Sequence, residues 1–445
     1  MKTIHSIYSK WTLALAAVMT LSLLAACDDD GHKQVTQAVA TEYSPLTGGR
    51  NTLLTLNGSH FGTDPTQVKV TINGKETVVK SVADDKITAE VQKGTSSGLV
   101  RIILGERPNA QVLIYDAEFT YISNQVVSTY LGGKGSGEAD GPFAEATLSK
   151  PRYLVWGKDN ALYIVEDGAS SPTDMACIRK AKDGQLTTLL KAADSPLVQR
   201  MRGIGFSADM GTLYIANDTN KDGSMGFGTM SKSGEDYGNL TALWEQSGIT
   251  AISVHPSTGA IFLGYHTGAW IYQYDGTTFI PKAQLPGASD GTFADKGNIN
   301  SIVFDKAGTT VYIVSRAKHV IYKGHYDLAS GSFSDLQLLA GSYGTTGYAD
   351  GTGTAAKFNT PCQADIDEEG NLYVADRGNH CIRAVTPDGE VSTYAGKNVA
   401  GMVDGIASQA EFNNPEGCRF GPDGALYIAD YSNHAIRKVE EVSVQ

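Results

Sequence analysis

Apolar and polar positions alternate along this chain in short runs rather than at helical spacing. A period of two marks strands that bury one face. The first such runs cover 52–56, 68–72, 78–82, 87–91, 99–104 and 118–122, separated by turn residues, notably Asn57-Gly58 and Asn73-Gly74. Strands this short and this closely spaced predict a β-sandwich over residues 38–122.

From residue 126 the pattern repeats. An aromatic residue flanked by aliphatics returns at Tyr163, Tyr214, Phe262, Tyr312, Tyr373 and Tyr427. A period of about 50 residues in an all-β sequence predicts propeller blades, one four-stranded sheet each. Each unit opens on a strand such as Pro151-Arg152-Tyr153-Leu154 and turns tightly, as at Asp423-Gly424. The aromatic strand and two further strands follow. The sixth unit stops after its third strand, while Val127-Ser128-Thr129-Tyr130 matches the fourth strand of the fifth unit, Val391-Ser392-Thr393-Tyr394. Strand 126–132 is therefore expected to complete the last blade, which would remove two sheet edges. The expected fold is all-β, a sandwich followed by a six-bladed propeller over 126–445.

Both parts carry family motifs. Tyr43-Ser44-Pro45, Leu54 to Gly62, Val70 to Gly74 and Phe119-Thr120-Tyr121 resemble the immunoglobulin-like IPT/TIG domain. Asp376-Arg377-Gly378-Asn379-His380 and Asp430-Tyr431-Ser432-Asn433-His434 resemble NHL repeats. Because these aspartates, asparagines and histidines recur at one repeat position, a structural task in the loop is expected of them.

The first 26 residues read as a signal peptide, with Lys2 and Lys10 ahead of an apolar stretch too short to span a bilayer. Leu24-Ala25-Ala26-Cys27 resembles a bacterial lipobox, which implies a lipid on Cys27 and an anchor that does not span the membrane. Residues 27–37 would form an acidic tether. Asp28, Asp29 and Asp30 resemble the export signal of Bacteroidetes surface lipoproteins, which implies outer-membrane attachment facing the cell exterior.

Composition narrows the partners. The 445 residues hold 48 acidic and 36 basic side chains, a net charge of −12, which disfavours nucleic acid. The 50 glycines fit a chain punctuated by turns. No G-x-S-x-G, zinc or phosphate-loop spacing occurs. Cys177 and Cys381 open equivalent strands and read as small core residues; Cys362 and Cys418 lie on adjacent blades, where a disulfide depends on geometry.

In a blade the first strand leaves one face and the second returns to it. The start of strand one and the loop after strand two therefore share a face. The former position reads Arg152, Arg202, Thr250, Asn300, Cys362 and Glu416. The latter reads Glu166-Asp167, Asn217-Asp218, Tyr265-His266, Ser315-Arg316, Asp376-Arg377 and Asp430-Tyr431. These residues vary from blade to blade, and repeat symmetry does not account for that. The ligand-binding candidates are Arg152, Arg202, Asn300, Glu416, Glu166, Tyr265, His266, Arg316, Arg377 and Tyr431. The plainer account is that Arg152, Arg202 and Glu416 pair to fill the channel mouth. Asp218, Asn220 and Asp222, followed by Gly223, match the first half of a calcium loop, although its twelfth position is Thr229 rather than Glu.

The combined resemblance implies a non-catalytic surface lipoprotein. It would take a glycan or another small ligand on the axial face, or join an outer-membrane transporter in nutrient uptake. The alternatives are a metal-dependent propeller hydrolase or lactonase, with Glu416, Asn300 and Asp376 at the metal, and a scaffold for protein contacts. Arg152 and Arg202 would set two cations beside such a metal, which counts against the hydrolase.

Overall fold

The computed structural model describes residues 37–442, except 93–94, 96, 107, 109, 123, 168–175, 219–222, 246–247, 267–268 and 287–296. The signal peptide, Cys27, nearly all of the tether, Asn220 and Asp222 lie outside the described residues.

The N-terminal domain is a two-sheet sandwich. One sheet orders Val39–Ser44, Leu53–Ser59, Lys86–Glu90 and Val78–Ala83. The other orders Thr47–Gly48, Gln111–Tyr121, Gly98–Leu104, Val68–Ile72 and Lys75–Glu76. Alternate residues of both sheets, including Leu54, Leu56, Val70, Ile72, Ile87, Val100, Ile102 and Phe119, form one core. The Asn73-Gly74 turn forms with both residues at positive φ, 46° and 87°. Asn57-Gly58 is not a turn. It continues the strand Leu53–Ser59, where a Cβ on Gly58 would lie 2.1 Å from the Val39 carbonyl oxygen, so the glycine serves close strand approach.

Six antiparallel sheets follow. Their first strands are Pro151–Trp156, Met201–Phe206, Ile249–Val254, Ile299–Phe304, Pro361–Ile366 and Pro415–Phe420. Each packs on the first strands of both neighbours, and the series closes from the sixth back to the first. Here these sheets are blades 1 to 6. In blade 6 the outer strand is Asn124–Gly132, held on Ala435–Val442 with Val127 opposite Val439 and Gly132 opposite Ala435. The ring thus closes through a strand from its own N-terminal side.

The recurring aromatics explain how blades stack. Tyr163, Phe262, Tyr373 and Tyr427 each meet the ring that ends the first strand of the next blade: Phe206, Phe304, Phe420 and Trp156, at centroid distances of 4.7, 5.3, 5.0 and 4.9 Å. Such contacts contribute roughly 0.5–1.5 kcal/mol each beyond the buried area.

Blades 5, 6 and 1, which flank the closure, share a buried ionic belt. An acid ends the second strand and an arginine in the third strand reaches it: Asp376 with Arg383 at 3.1 Å, Asp430 with Arg437 at 2.9 Å, Glu166 with Arg179 at 3.4 Å. The same arginines bond Asp350, Asp404 and Asp140 in the loops between blades. The recurring histidines are latches. His319, His380 and His434 sit at left-handed φ, and each Nδ1 accepts the backbone N–H opening the next blade, from Thr360, Asn414 and Lys150. Gly341, Gly396 and Gly132 lie against the carbonyls of these histidines, where a Cβ would come within 2.5, 2.9 and 2.4 Å.

Candidate functional site

A β-bulge builds the axial mouth. In every blade the pairing of the first two strands slips near the start of strand one: at Arg152, Arg202, Thr250, Asn300 and Glu416, and across Cys362-Gln363 in blade 5. A bulge re-aims one side chain without disturbing the rest of the sheet. Each blade can therefore present a different residue there at little cost to the core.

Strand parity selects the second ring. Successive side chains on a strand point to opposite sides. The first residue of each return pair turns inward: Glu166, Asn217, Tyr265, Ser315, Asp376 and Asp430 are all buried. The second residue carries the mouth-facing contacts in blades 1, 2, 4, 5 and 6, at Asp167, Asp218, Arg316, Arg377 and Tyr431. Two candidates are thereby corrected. Glu166 is fully buried and accepts from Arg179, the Ser149 N–H and the Cys177 thiol; burial pushes its carboxyl up to about 7 against those donors. Tyr265 packs edge-on against Tyr272 at 5.0 Å in the core between blades, and burial raises its hydroxyl. His266 keeps the mouth-side parity, and its Nδ1 is buried with no hydrogen-bond partner among the described residues. Asn300, the bulge residue of blade 4, is half-buried.

Six charged side chains from four blades form an alternating chain across the mouth. Arg377 Nε donates to Glu416 Oε1 at 2.6 Å, and Arg152 Nη2 approaches Glu416 Oε2 at 2.9 Å. Arg152 Nη1 reaches both oxygens of Asp167 at 2.7 and 2.6 Å. Arg202 approaches Asp167 at 3.5 Å and donates from Nε to Asp218 at 3.1 Å. The Tyr431 hydroxyl also donates to Asp167, and the Arg377 guanidinium lies 5.6 Å from the Tyr431 ring. Burial alone would lower Arg152 and raise Glu416; Asp167 and Glu416 hold the arginine above its usual value, and Arg152, Arg316 and Arg377 hold the glutamate below its own. The plainer account of the mouth is thus part of the answer: Arg152 and Glu416 pair directly, and Arg202 joins them through Asp167, which was not among the candidates.

The floor is closed. The Gln363 amide spans the axis from blade 5 to the backbone of Leu154 in blade 1, accepting from its N–H at 3.0 Å and donating to its carbonyl at 2.7 Å. The Tyr153 hydroxyl crosses to the Ile252 carbonyl at 3.1 Å. These bonds tie blades 1, 3 and 5 together across the axis beneath the mouth.

Of the three calcium candidates only Asp218 is described. Asp218 is occupied by Arg202, with Arg200 at 3.8 Å, so a cation there would face two guanidiniums. Glu416 carries three arginines, and Asp376 is spent on its blade's belt, accepting from Asn359 N–H, Asn379 and Arg383. Glu416 and Asp376 are thus engaged by different sets of donors. Among the described residues no three His, Cys, Asp or Glu side chains are grouped to hold a metal. Cys177, Cys362, Cys381 and Cys418 are free and buried, so Cys362 and Cys418 form no disulfide.

The architecture defines a two-domain all-β protein with a blade-specific basin on a closed ring. Comparison with known proteins sharpens this. Residues 38–121 match the IPT/TIG domain family. The chain is 25% identical over 363 residues to NHL repeat-containing protein 2 of Gallus gallus, covering 76% of this chain and 45% of that one. It thus spans about half the length of that relative, and an 81-residue match to the Bos taurus protein, at 36% identity, covers 11% of it. Among solved structures, an auxiliary nutrient binding protein from Bacteroides thetaiotaomicron has a TM-score of 0.63 at 24% identity, covering 92% of this chain and 98% of that one. A protein of unknown function from the same organism reaches 0.69 at 20% identity, covering 92% and 100%. At these identities the likeness shows the fold.

Proposed function

We propose that this protein is a non-catalytic binding module that captures a nutrient ligand, a glycan or another small molecule, in the axial basin. It would be tethered by a lipid on Cys27 at the outer face of the outer membrane, beside a transporter that consumes what it binds. One observation carries the reading. Core residues recur from blade to blade, and the belt and the latch in three blades each, whereas the twelve mouth positions change around the ring and repeat only between neighbours, at Arg152 and Arg202, Asp167 and Asp218, and Arg316 and Arg377. The six bulge positions hold five residue types, and so uneven a lining suits an asymmetric object. The resemblance to a nutrient-binding protein across nearly the whole chain supports the same reading.

The test is a glycan array probed with the full chain in detergent, repeated with Tyr431→Ala. Saccharide binding that weakens at least tenfold in the variant is expected. Binding indifferent to Tyr431 would move the site elsewhere, and no binding to any saccharide would refute glycan capture. Radiolabelled lipid on wild type but not on Cys27→Ser tests the anchor.

A further inference from the structure

We infer that the basin takes an acidic ligand, a saccharide bearing a carboxylate or sulfate group, and that Arg316 and Arg377 form the clamp for that group. The inference rests on the reading of the basin as a ligand site.

The chain Arg377, Glu416, Arg152, Asp167, Arg202, Asp218 alternates in sign and is neutral as a whole. Arg316 of blade 4 stands outside it. It reaches the chain only by leaning to within 3.6 Å of Glu416 Oε1, too long for a hydrogen bond, and that oxygen already accepts from Arg377 at 2.6 Å. Counting Arg200, 3.8 Å from Asp218, five guanidiniums share these three carboxylates in a protein whose net charge is −12. An arginine presents five donors in a planar fork. Arg316 makes no hydrogen bond to any described residue through its fork, and Arg377 uses only Nε, although both side chains are mostly covered, with 21% and 28% of their surface exposed.

Two under-used forks meeting at one carboxylate oxygen make a local surplus of donors and of positive charge. A planar carboxylate or a sulfate matches the fork in pairs of parallel hydrogen bonds. Bound over Glu416, it would take one fork from each side and relieve the crowding of like charges. The Tyr431 ring beside Arg377 would carry the attached sugar ring. On the blade 3 side Thr250 turns its hydroxyl away to the Ile299 carbonyl at 2.7 Å. The acidic group is therefore placed at the blade 4–5 side of the basin, with the attached sugar over Tyr431 of blade 6.

The experiment is calorimetric titration of the full chain with digalacturonate, with a sulfated galactose disaccharide and with neutral digalactose. Wild type, Arg316→Gln, Arg377→Gln and, from the opposite face of the ring, Lys306→Gln are compared. At least one acidic probe should bind at least tenfold more tightly than digalactose, lose at least tenfold in affinity in each arginine variant, and weaken as salt is raised. Lys306→Gln should behave as wild type. Because Arg377 also supports Glu416, melting temperatures in sulfate and chloride at equal ionic strength are measured for every variant. A sulfate-specific rise should be seen in wild type and be smaller in Arg316→Gln, whose removal breaks no hydrogen bond. Which acidic probe is retained decides between carboxylate and sulfate. Equal binding of digalactose and the acidic probes, abolished by Tyr431→Ala, would overturn the acidic-ligand inference and leave the basin as the site. Acidic probes that bind with no loss in either arginine variant would overturn the clamp. No binding by any probe, with no sulfate effect, would overturn both.

Discussion

Removing Arg437 should uncouple the blade on which ring closure depends. The guanidinium is fully buried. It donates to Asp430 at 2.9 Å, to the carbonyls of Glu411 and Val403 at 3.0 and 2.9 Å, and to Asp404, and it stacks 5.2 Å from Phe412. Arg437→Leu keeps apolar bulk but leaves Asp430 buried with only the Asn413 N–H and the Asn433 amide. Breaking a buried pair in this way costs about 3–5 kcal/mol, because one charge is left uncompensated. Asp430→Asn removes that charge, so the double variant should lose less than the sum of the singles, with a coupling of about 1–3 kcal/mol. Urea unfolding followed by near-ultraviolet circular dichroism measures all four proteins. The pH dependence supplies a second arm. Burial already raises Asp430 to about 6, despite its three donors. A raised carboxyl favours the folded state below its unfolded value and loses that contribution as pH rises through the folded value. Without Arg437 the rise is larger, so the deficit of Arg437→Leu should shrink as pH falls from 8 to 5. A deficit constant over that range, or singles that simply add, would refute the view that the belt is held by charge.

Three further outcomes follow from other parts of the ring. Gly396→Ala should lower stability by at least about 2 kcal/mol by urea titration, since φ is +93° and the Cβ would meet the His380 carbonyl. The latches should make the protein acid-sensitive. Burial lowers His319, His380 and His434 below 6.5, Lys318, Arg377 and Lys150 adding to it, so their stabilisation is present above 6.5 and is lost as pH falls through their folded values. His380→Asn, which tolerates the left-handed backbone, should flatten the fall in melting temperature between pH 7 and 5; a variant with the wild-type slope would exclude the latch as a cause. Gln363→Met should cost about 2–4 kcal/mol, because both backbone groups of Leu154 lose their buried partner, and a melting temperature within a degree of wild type would remove Gln363 from the axis.

Fold class was legible in the sequence for a physical reason. Period-two alternation, a repeat of about 50 residues and the recurring aromatic are local or periodic signals, and each is imposed by burial of one sheet face. The structural role of the Asp-x-x-Asn-His loops was legible on the same ground, because residues that recur at one position of two successive blades serve the blade. Recurrence did not reveal the partners. Asp140, Asp350 and Asp404 lie 39, 33 and 33 residues from the arginines they bond, and only the folded ring brings them together.

The face that carries the site was also readable, from the rule that strand one leaves the side to which strand two returns. Which side chains reach it was not. Glu166 and Asp167 are neighbours of one chemistry, and the register of a single strand sends the first into the blade and the second to the mouth. Tyr265 and His266 divide in the same way. A bulge leaves no mark in composition, yet it aims Arg152 and Glu416 at each other across blades 264 residues apart. Alternation and repetition are properties of neighbouring residues, and the sequence by itself determined the sheets, the ring and its punctuation. The pairing of charges across the axis depends on distances between blades. Only tertiary structure decided that six of those charges cancel and that Arg316 is left over.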